Sequence, residues 1–254
     1  MDSDYYWEMS NKKVAVILKT NHSIAIESIF FFCKEGYHVV CWEDKNTPKE
    51  DWFEQSVKVF ESQITRDQIS FGDVSDFQEA AVRVIKHLGR VDVLINNPKL
   101  LPVGKTPNLT TDVWHQTIDA NLTVYLHAIS VLAPLMQQQQ QGRIINCCLP
   151  LRIHDTITER HYDGIRDGIK GITQLWAREL GQYKITVNTI IPGYIEEDNV
   201  TLADSAEIQQ FRLKIPMKRL AKANDVLQVY RFLCSEGANY ITGSEIVVDG
   251  GVRI

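Results

Sequence analysis

Short apolar runs that alternate with segments of helical period constrain this chain more than any other feature. Val14–Leu18 reads VAVIL, with no polar residue to turn toward solvent on either side. Such runs suit strands buried on both faces, as in a parallel sheet covered by helices. Ile24–Lys34 follows with apolar residues at helical spacing and runs up to Gly36, a plausible helix stop. The alternation then repeats. Further strands are expected at Tyr37–Trp42, Gln68–Phe71, Val91–Ile95, Arg143–Cys147, Thr186–Ile190 and Glu245–Val248. Further helices are expected at Trp52–Ser62, Phe77–Leu88, Val113–Met136, Tyr162–Leu180 and Asp225–Cys234.

Strands separated by helices require right-handed crossovers. The expected fold class is therefore α/β: a single doubly wound parallel sheet, Rossmann-type, seven strands flanked by helices. No linker or internal repeat divides the 254 residues, so one domain over residues 12–254 is expected, preceded by a loose arm at residues 1–11. The run Gln137–Gln141 reads as a solvated helix end before Gly142. A net charge of −5 argues against nucleic acid or an anionic membrane as partner. No apolar run approaches the roughly 20 residues of a membrane span, and the opening MDSDYYWEMSNKK lacks the pattern of a signal peptide. Five cysteines without CxxC spacing suit a reduced, cytoplasmic protein with neither a disulfide framework nor a metal site.

Ligands of open α/β sheets sit at the carboxyl ends of the strands. A dinucleotide fold wants glycines in the first strand-to-helix turn, where backbone approaches pyrophosphate. Here that turn reads Leu18-Lys19-Thr20-Asn21-His22-Ser23-Ile24-Ala25, with no glycine. On these residues alone the fingerprint fails. Later segments supply a different signal. They are Gly72-Asp73-Val74, Ile95-Asn96-Asn97, Asp119-Ala120-Asn121-Leu122, Gly142-Arg143-Ile144-Ile145-Asn146, Tyr162, Val187-Asn188, Pro192-Gly193, Tyr240-Ile241-Thr242-Gly243 and Val248-Asp249-Gly250-Gly251. In order and spacing, they resemble the short-chain dehydrogenase/reductase family over about residues 12–254.

The resemblance implies roles. Asp73 and Val74 fall where the family contacts adenine, Asn97 in its Asn-Asn motif, and Pro192-Gly193 near the nicotinamide. Asn121 and Tyr162 fall at the catalytic asparagine and tyrosine. Lys19, Ser23 and Ala25 stand at the three glycine positions around Ile24, and Ser23-Ile24-Ala25 is similar to the divergent enoyl-acyl-carrier-protein reductases. Glu43 ends the second strand, where an acid accepts ribose hydroxyls and repels a 2′-phosphate, so NAD is favoured over NADP if a dinucleotide binds.

The chemical set departs from the family. Arg166 replaces the lysine, and its i, i+4 spacing keeps it on the helix face of Tyr162. A cation ~4 Å away at an effective dielectric of ~20 is worth roughly 4 kcal/mol, about three pKa units. Arginine supplies that field but gives up no proton, so a relay through it is lost. Leu149 replaces the serine thirteen residues before Tyr162 and donates nothing. Cys148 and Lys170 are the nearest substitutes, for the serine and the lysine respectively. Pro98-Lys99 replaces Ala-Gly, and Glu197 replaces a threonine.

Three readings stay open. One is a family member inactive or weak as a dehydrogenase. Another is an atypical NAD(H)-dependent oxidoreductase acting on a 3-oxoacyl, alcohol or pterin-like carbonyl substrate, with Tyr162 as proton donor. The last is a non-redox protein on the same fold: a ligand-binding or assembly protein, or one with a different reaction in which Arg166, His161 or His154 contacts an anionic ligand. The resemblance also implies a homodimer or homotetramer, with a small-molecule ligand as the other partner.

Overall fold

The computed structural model describes residues 12–19, 23–46, 53, 57–98, 110–148, 160–196, 209 and 212–253; of these, the side chains of residues 19 and 160–163 lie outside the description. Strands β1 (Val14–Lys19), β2 (His38–Asp44), β3 (Ile64–Ile69), β4 (Val93–Asn96), β5 (Gly142–Cys147), β6 (Ile185–Pro192) and β7 (Glu245–Val248) form one sheet. Its order is β3-β2-β1-β4-β5-β6-β7, and every neighbouring pair is parallel.

Helices α1 (Ser23–Lys34) and α5 (Ala223–Cys234) cover one face. Helices α2 (Val74–Leu88), α3 (Thr111–Gln139) and α4 (Arg160–Leu180) cover the other. Side chains of a strand alternate between faces, so each apolar strand feeds two cores. Val14, Val16 and Leu18 join the α2–α4 side, while Ala15 and Ile17 join the α1 side. This is the physical reason Val14–Leu18 of β1 reads as an unbroken apolar run.

One strand departs from expectation. β3 begins at Ile64, and its middle reads Thr65-Arg66-Asp67-Gln68. It is an edge strand, so it needs no apolar run, and periodicity favoured the later Gln68–Phe71 window. The expected helix at 52–62 is described only in part: Phe53 and residues 57–59 are helical, and Glu61–Gln63 is a 3-10 turn.

The termini of α2 follow simple chemistry. Asp73 caps its start by accepting from the Ser75 backbone N–H at 2.9 Å. Gly89 ends it in the left-handed region, with φ at 66°. Phe77, Ala80, Ala81, Val84 and Leu88 make its buried stripe. The glutamine run does more than face water. The Gln139 side chain accepts from the Val91 N–H and donates to the Val91 carbonyl, both at 2.8 Å, which ties the end of α3 to the entry of β4.

Candidate functional site

The order of the sheet reverses between β1 and β4, and the crevice outside such a switch point is where ligands of open α/β sheets bind. Asn97, just past β4, spans this point. Its Nδ2 donates to the Leu18 carbonyl of β1 at 3.1 Å, and its Oδ1 accepts from the Tyr230 hydroxyl of α5 at 3.3 Å. Its side chain is thus spent on tying β4 to β1 and α5. Lys19 is the last residue of β1 and pairs in register with Glu43. The strand simply continues where a glycine turn was at issue. Ser23 opens α1 with its hydroxyl buried and without a hydrogen bond to any described residue. Ile24 and Ala25 follow it and are buried. Residues 20–22 lie outside the described residues.

Glu43 is the penultimate residue of β2, one before Asp44, and its carboxylate is held from the side. Arg66 of β3 donates from Nε to Oε1 at 2.6 Å and from its terminal nitrogen to Oε2 at 2.8 Å. Gln68 donates to Oε2 at 3.1 Å, and the Cys41 thiol lies 3.5 Å from Oε1. Glu43 is 4% exposed. The Arg66 guanidinium also lies over the Phe53 ring, 5.3 Å from its centre. After β3, on the same side of the switch point, Asp73 Oδ1 accepts from both the hydroxyl and the N–H of Ser75. These bonds hold the Asp73 carboxyl below the usual carboxylate range, the hydroxyl contributing most. Val74 follows it, partly exposed.

The other end of the crevice carries the residues expected to do chemistry. Asn121 sits in a π-helical turn, Asp119–Thr123, inside α3. Such turns recur at functional sites. It is fully buried, and its Nδ2 donates to the Thr117 carbonyl at 3.1 Å. Tyr162 lies in the first turn of α4, one turn before Arg166. Its side chain and that of His161, together with Leu149, His154, Glu197 and Lys99, lie outside what is described. Arg166 is half-buried, and its charge acts on the Cys148 thiol beyond β5. That thiol is fully buried, and burial, above all, pushes it well above an ordinary cysteine, so it stays protonated. Lys170 does not turn back toward Arg166's role: its ammonium pairs with Glu245 of β7 at 3.3 Å.

Below these groups runs a buried polar ladder across three strands. Asn96 donates to Asn146, Asn146 to the Thr173 hydroxyl, and Thr189 to the same hydroxyl, each at 2.8 Å. Pro192 ends β6, and Gly193 follows it so close to β7's exit that a Cβ there would lie 2.6 Å from Asp249 Cα. Its N–H donates to the Val248 carbonyl at 2.8 Å. Only glycine permits that approach.

Comparison with known proteins agrees with this architecture. The profile of a family described as enoyl-(acyl carrier protein) reductase matches residues 18–253. The chain belongs to the short-chain dehydrogenase/reductase family. A 3-oxoacyl-(acyl-carrier-protein) reductase of Thermotoga maritima is 26% identical over 242 residues, covering 95% of this chain and 98% of the relative. One of Staphylococcus epidermidis is 28% identical, covering 94% and 98%. A 3alpha-hydroxysteroid dehydrogenase of Mediterraneibacter gnavus is 26% identical over 246 residues, covering 96% and 98%.

Short-chain dehydrogenase/reductases resemble one another in using a nicotinamide dinucleotide, so the residues present can be tested against one. The adenosine ribose needs a free acceptor at the end of β2. A carboxylate offers about four lone-pair sites. On Glu43 three are taken by nitrogen donors and a thiol faces the fourth. As they stand, these residues do not fit the adenosine ribose of NAD.

Arg66 and Gln68 were not among the sequence candidates. Their signal was present: residues i and i+2 of a strand share a face, and both share it with Cys41 and Glu43 of the neighbouring strand. Starting β3 at Gln68 left Arg66 outside the strand and hid the pair.

Proposed function

We propose that this chain is a short-chain dehydrogenase/reductase in which hydride-transfer chemistry is lost or strongly reduced, and that it serves as a small-molecule-binding or self-assembling protein on that fold. The observation that carries this reading is the exit of β5. The last described group there is a buried, protonated Cys148 thiol, a weak donor at best. Leu149 comes next, with no polar atom to polarise a substrate oxygen. Loss of one such donor costs roughly 10²–10³ in rate. Arg166 supplies fixed positive charge one turn from Tyr162 but cannot pass a proton on.

A second reading is favoured by one observation, the π-turn that buries Asn121. It is an atypical NAD(H)-dependent oxidoreductase in which Tyr162 donates the proton, Arg166 holds its charge, and the substrate is a 3-oxoacyl, alcohol or pterin-like carbonyl compound. The names of the relatives point to 3-oxoacyl and steroid substrates.

Turnover decides between the two. The protein is incubated with NADH or NADPH and either 3-oxoacyl thioesters or ketosteroids, and nicotinamide absorbance is followed. The expected result is consumption no faster than without protein. Sustained turnover that vanishes in Tyr162→Phe overturns the first reading and establishes the second. The paired variant Leu149→Ser, Arg166→Lys tests the cause: a gain in turnover assigns the loss to these positions.

A further inference from the structure

The adenosine end of the crevice holds an arrangement that the loss of catalytic groups does not explain. Glu43 stands at the end of β2, where an acid would meet the two ribose hydroxyls of an adenosine. Arg66 approaches it from β3 in a two-bond fork, 2.6 and 2.8 Å long, and Gln68 adds a third bond at 3.1 Å. Fork geometry of this kind is among the strongest and most directional of carboxylate contacts. The arginine is itself held, with its guanidinium over the Phe53 ring and its side chain only 25% exposed. Register fixes the arrangement, since Arg66 lies opposite Cys41 and Gln68 opposite Glu43 in the β2–β3 ladder. An incoming ribose has to displace charge-assisted bonds with neutral hydroxyl donors.

We infer that Arg66 is a specificity-determining residue that occupies Glu43 from within and so excludes the adenosine ribose from the end of β2. The inference rests on the reading of an impaired cofactor site and names one residue responsible. It is local: it concerns ribose recognition, not the phosphate turn or the catalytic groups. The ligand class disfavoured at this edge is any adenosine nucleotide with a free ribose diol.

Adenosine and 2′-deoxyadenosine are the appropriate probes, because neither needs the phosphate turn. Their binding to the full chain is measured by ligand-observed NMR at millimolar concentration. The wild type is expected to bind both weakly and alike. Arg66→Met keeps an apolar stem against Phe53 and frees the carboxylate. It is expected to bind adenosine at least fivefold more tightly than the wild type does and to prefer it over the deoxy form. Circular dichroism checks the fold; should Arg66→Met not fold, Arg66→Lys, which keeps the charge but breaks the fork, takes its place with the same direction expected. No gain in the folded variant overturns the inference. So does a wild type that already prefers adenosine and loses that preference in Glu43→Gln. Wild-type turnover of NADPH, whose adenosine ribose carries a 2′-phosphate in place of a free diol, would instead overturn the proposed function and leave the role of Arg66 standing.

Discussion

Single side chains separate what this site resembles from what it can do. Glu43 alone looks like a ribose acceptor, and Arg166 alone looks like a substituted lysine. With their neighbours in place, the first is a buried half of an ion pair and the second a fixed charge beside a buried thiol. The residue scale also sets a pH response. His38 lies at the start of β2, with its Nε2 2.9 Å from the Thr65 hydroxyl. Burial, helped by the Lys12 charge, lowers its pKa from the usual 6.5. The unfolded chain therefore takes up this proton at a higher pH than the folded chain does. Its contribution to stability is fully present above pH 6.5 and is lost as pH falls from there through the lowered folded value. Thermal unfolding measured from neutral pH downward should show this decline. His38→Gln, which keeps an amide near Thr65, should make the curve flatter over that window; an unchanged slope would refute the assignment.

Elements were more legible than side chains where a strand is buried on both faces, and less so at the edge. β1 announces itself as an apolar run, and β4, β5 and β6 through the apolar stretches Val93-Leu94-Ile95, Ile144-Ile145 and Ile190-Ile191, because both cores demand it. β3 pairs on one side only and tolerates Arg66, Asp67 and Gln68, so periodicity placed its start at Gln68 rather than Ile64 and took Arg66 out of consideration. The π-turn in α3 was likewise invisible: its residues, Asp119–Thr123, have ordinary helix propensity, and only the packed helix shows the extra residue. The end of α3 carries a prediction of its own. Replacing Gln139 by alanine removes both partners of the Val91 backbone, whose residue is fully buried. Urea unfolding should report a loss of about 1–3 kcal/mol, the range for an unsatisfied buried polar group. The neighbouring Gln138→Ala, on an exposed position, should change little.

At the scale of the whole molecule, one length of chain fits two environments by composition. Residues Thr111–Gln139 form a helix long and apolar enough to cross a membrane, with a mean hydropathy of 1.3 over its most apolar window. Its apolar residues Val124, Tyr125, Ala128, Leu132 and Met136 are instead buried against the sheet with those of α2 and α4. The outer surfaces of α3 and α4 still present Leu126 and Leu175, each about half exposed. The family resemblance implies self-association through helices in these positions. Light scattering behind size exclusion should then give a multiple of 29.1 kDa. The double variant Leu126→Glu, Leu175→Glu should shift the mass toward one chain, and a wild type that is a clean monomer would refute the expectation.

The sequence by itself determined the fold, because burial on both faces of a parallel sheet leaves a one-dimensional trace in each central strand. It also determined which chemical groups are missing, since no arrangement of Leu149 or Arg166 creates a hydroxyl or a transferable proton. Only the tertiary structure decided what the remaining polar groups are bonded to. Glu43 and Arg66 are 23 residues apart along the chain and 2.6 Å apart in space. Asn97 reaches 79 residues back to Leu18, and Tyr230 reaches 133 residues back to Asn97. Hydrogen bonds act over a few ångströms and leave no period in a sequence, so the use of each donor and acceptor becomes legible only once the strands are in register.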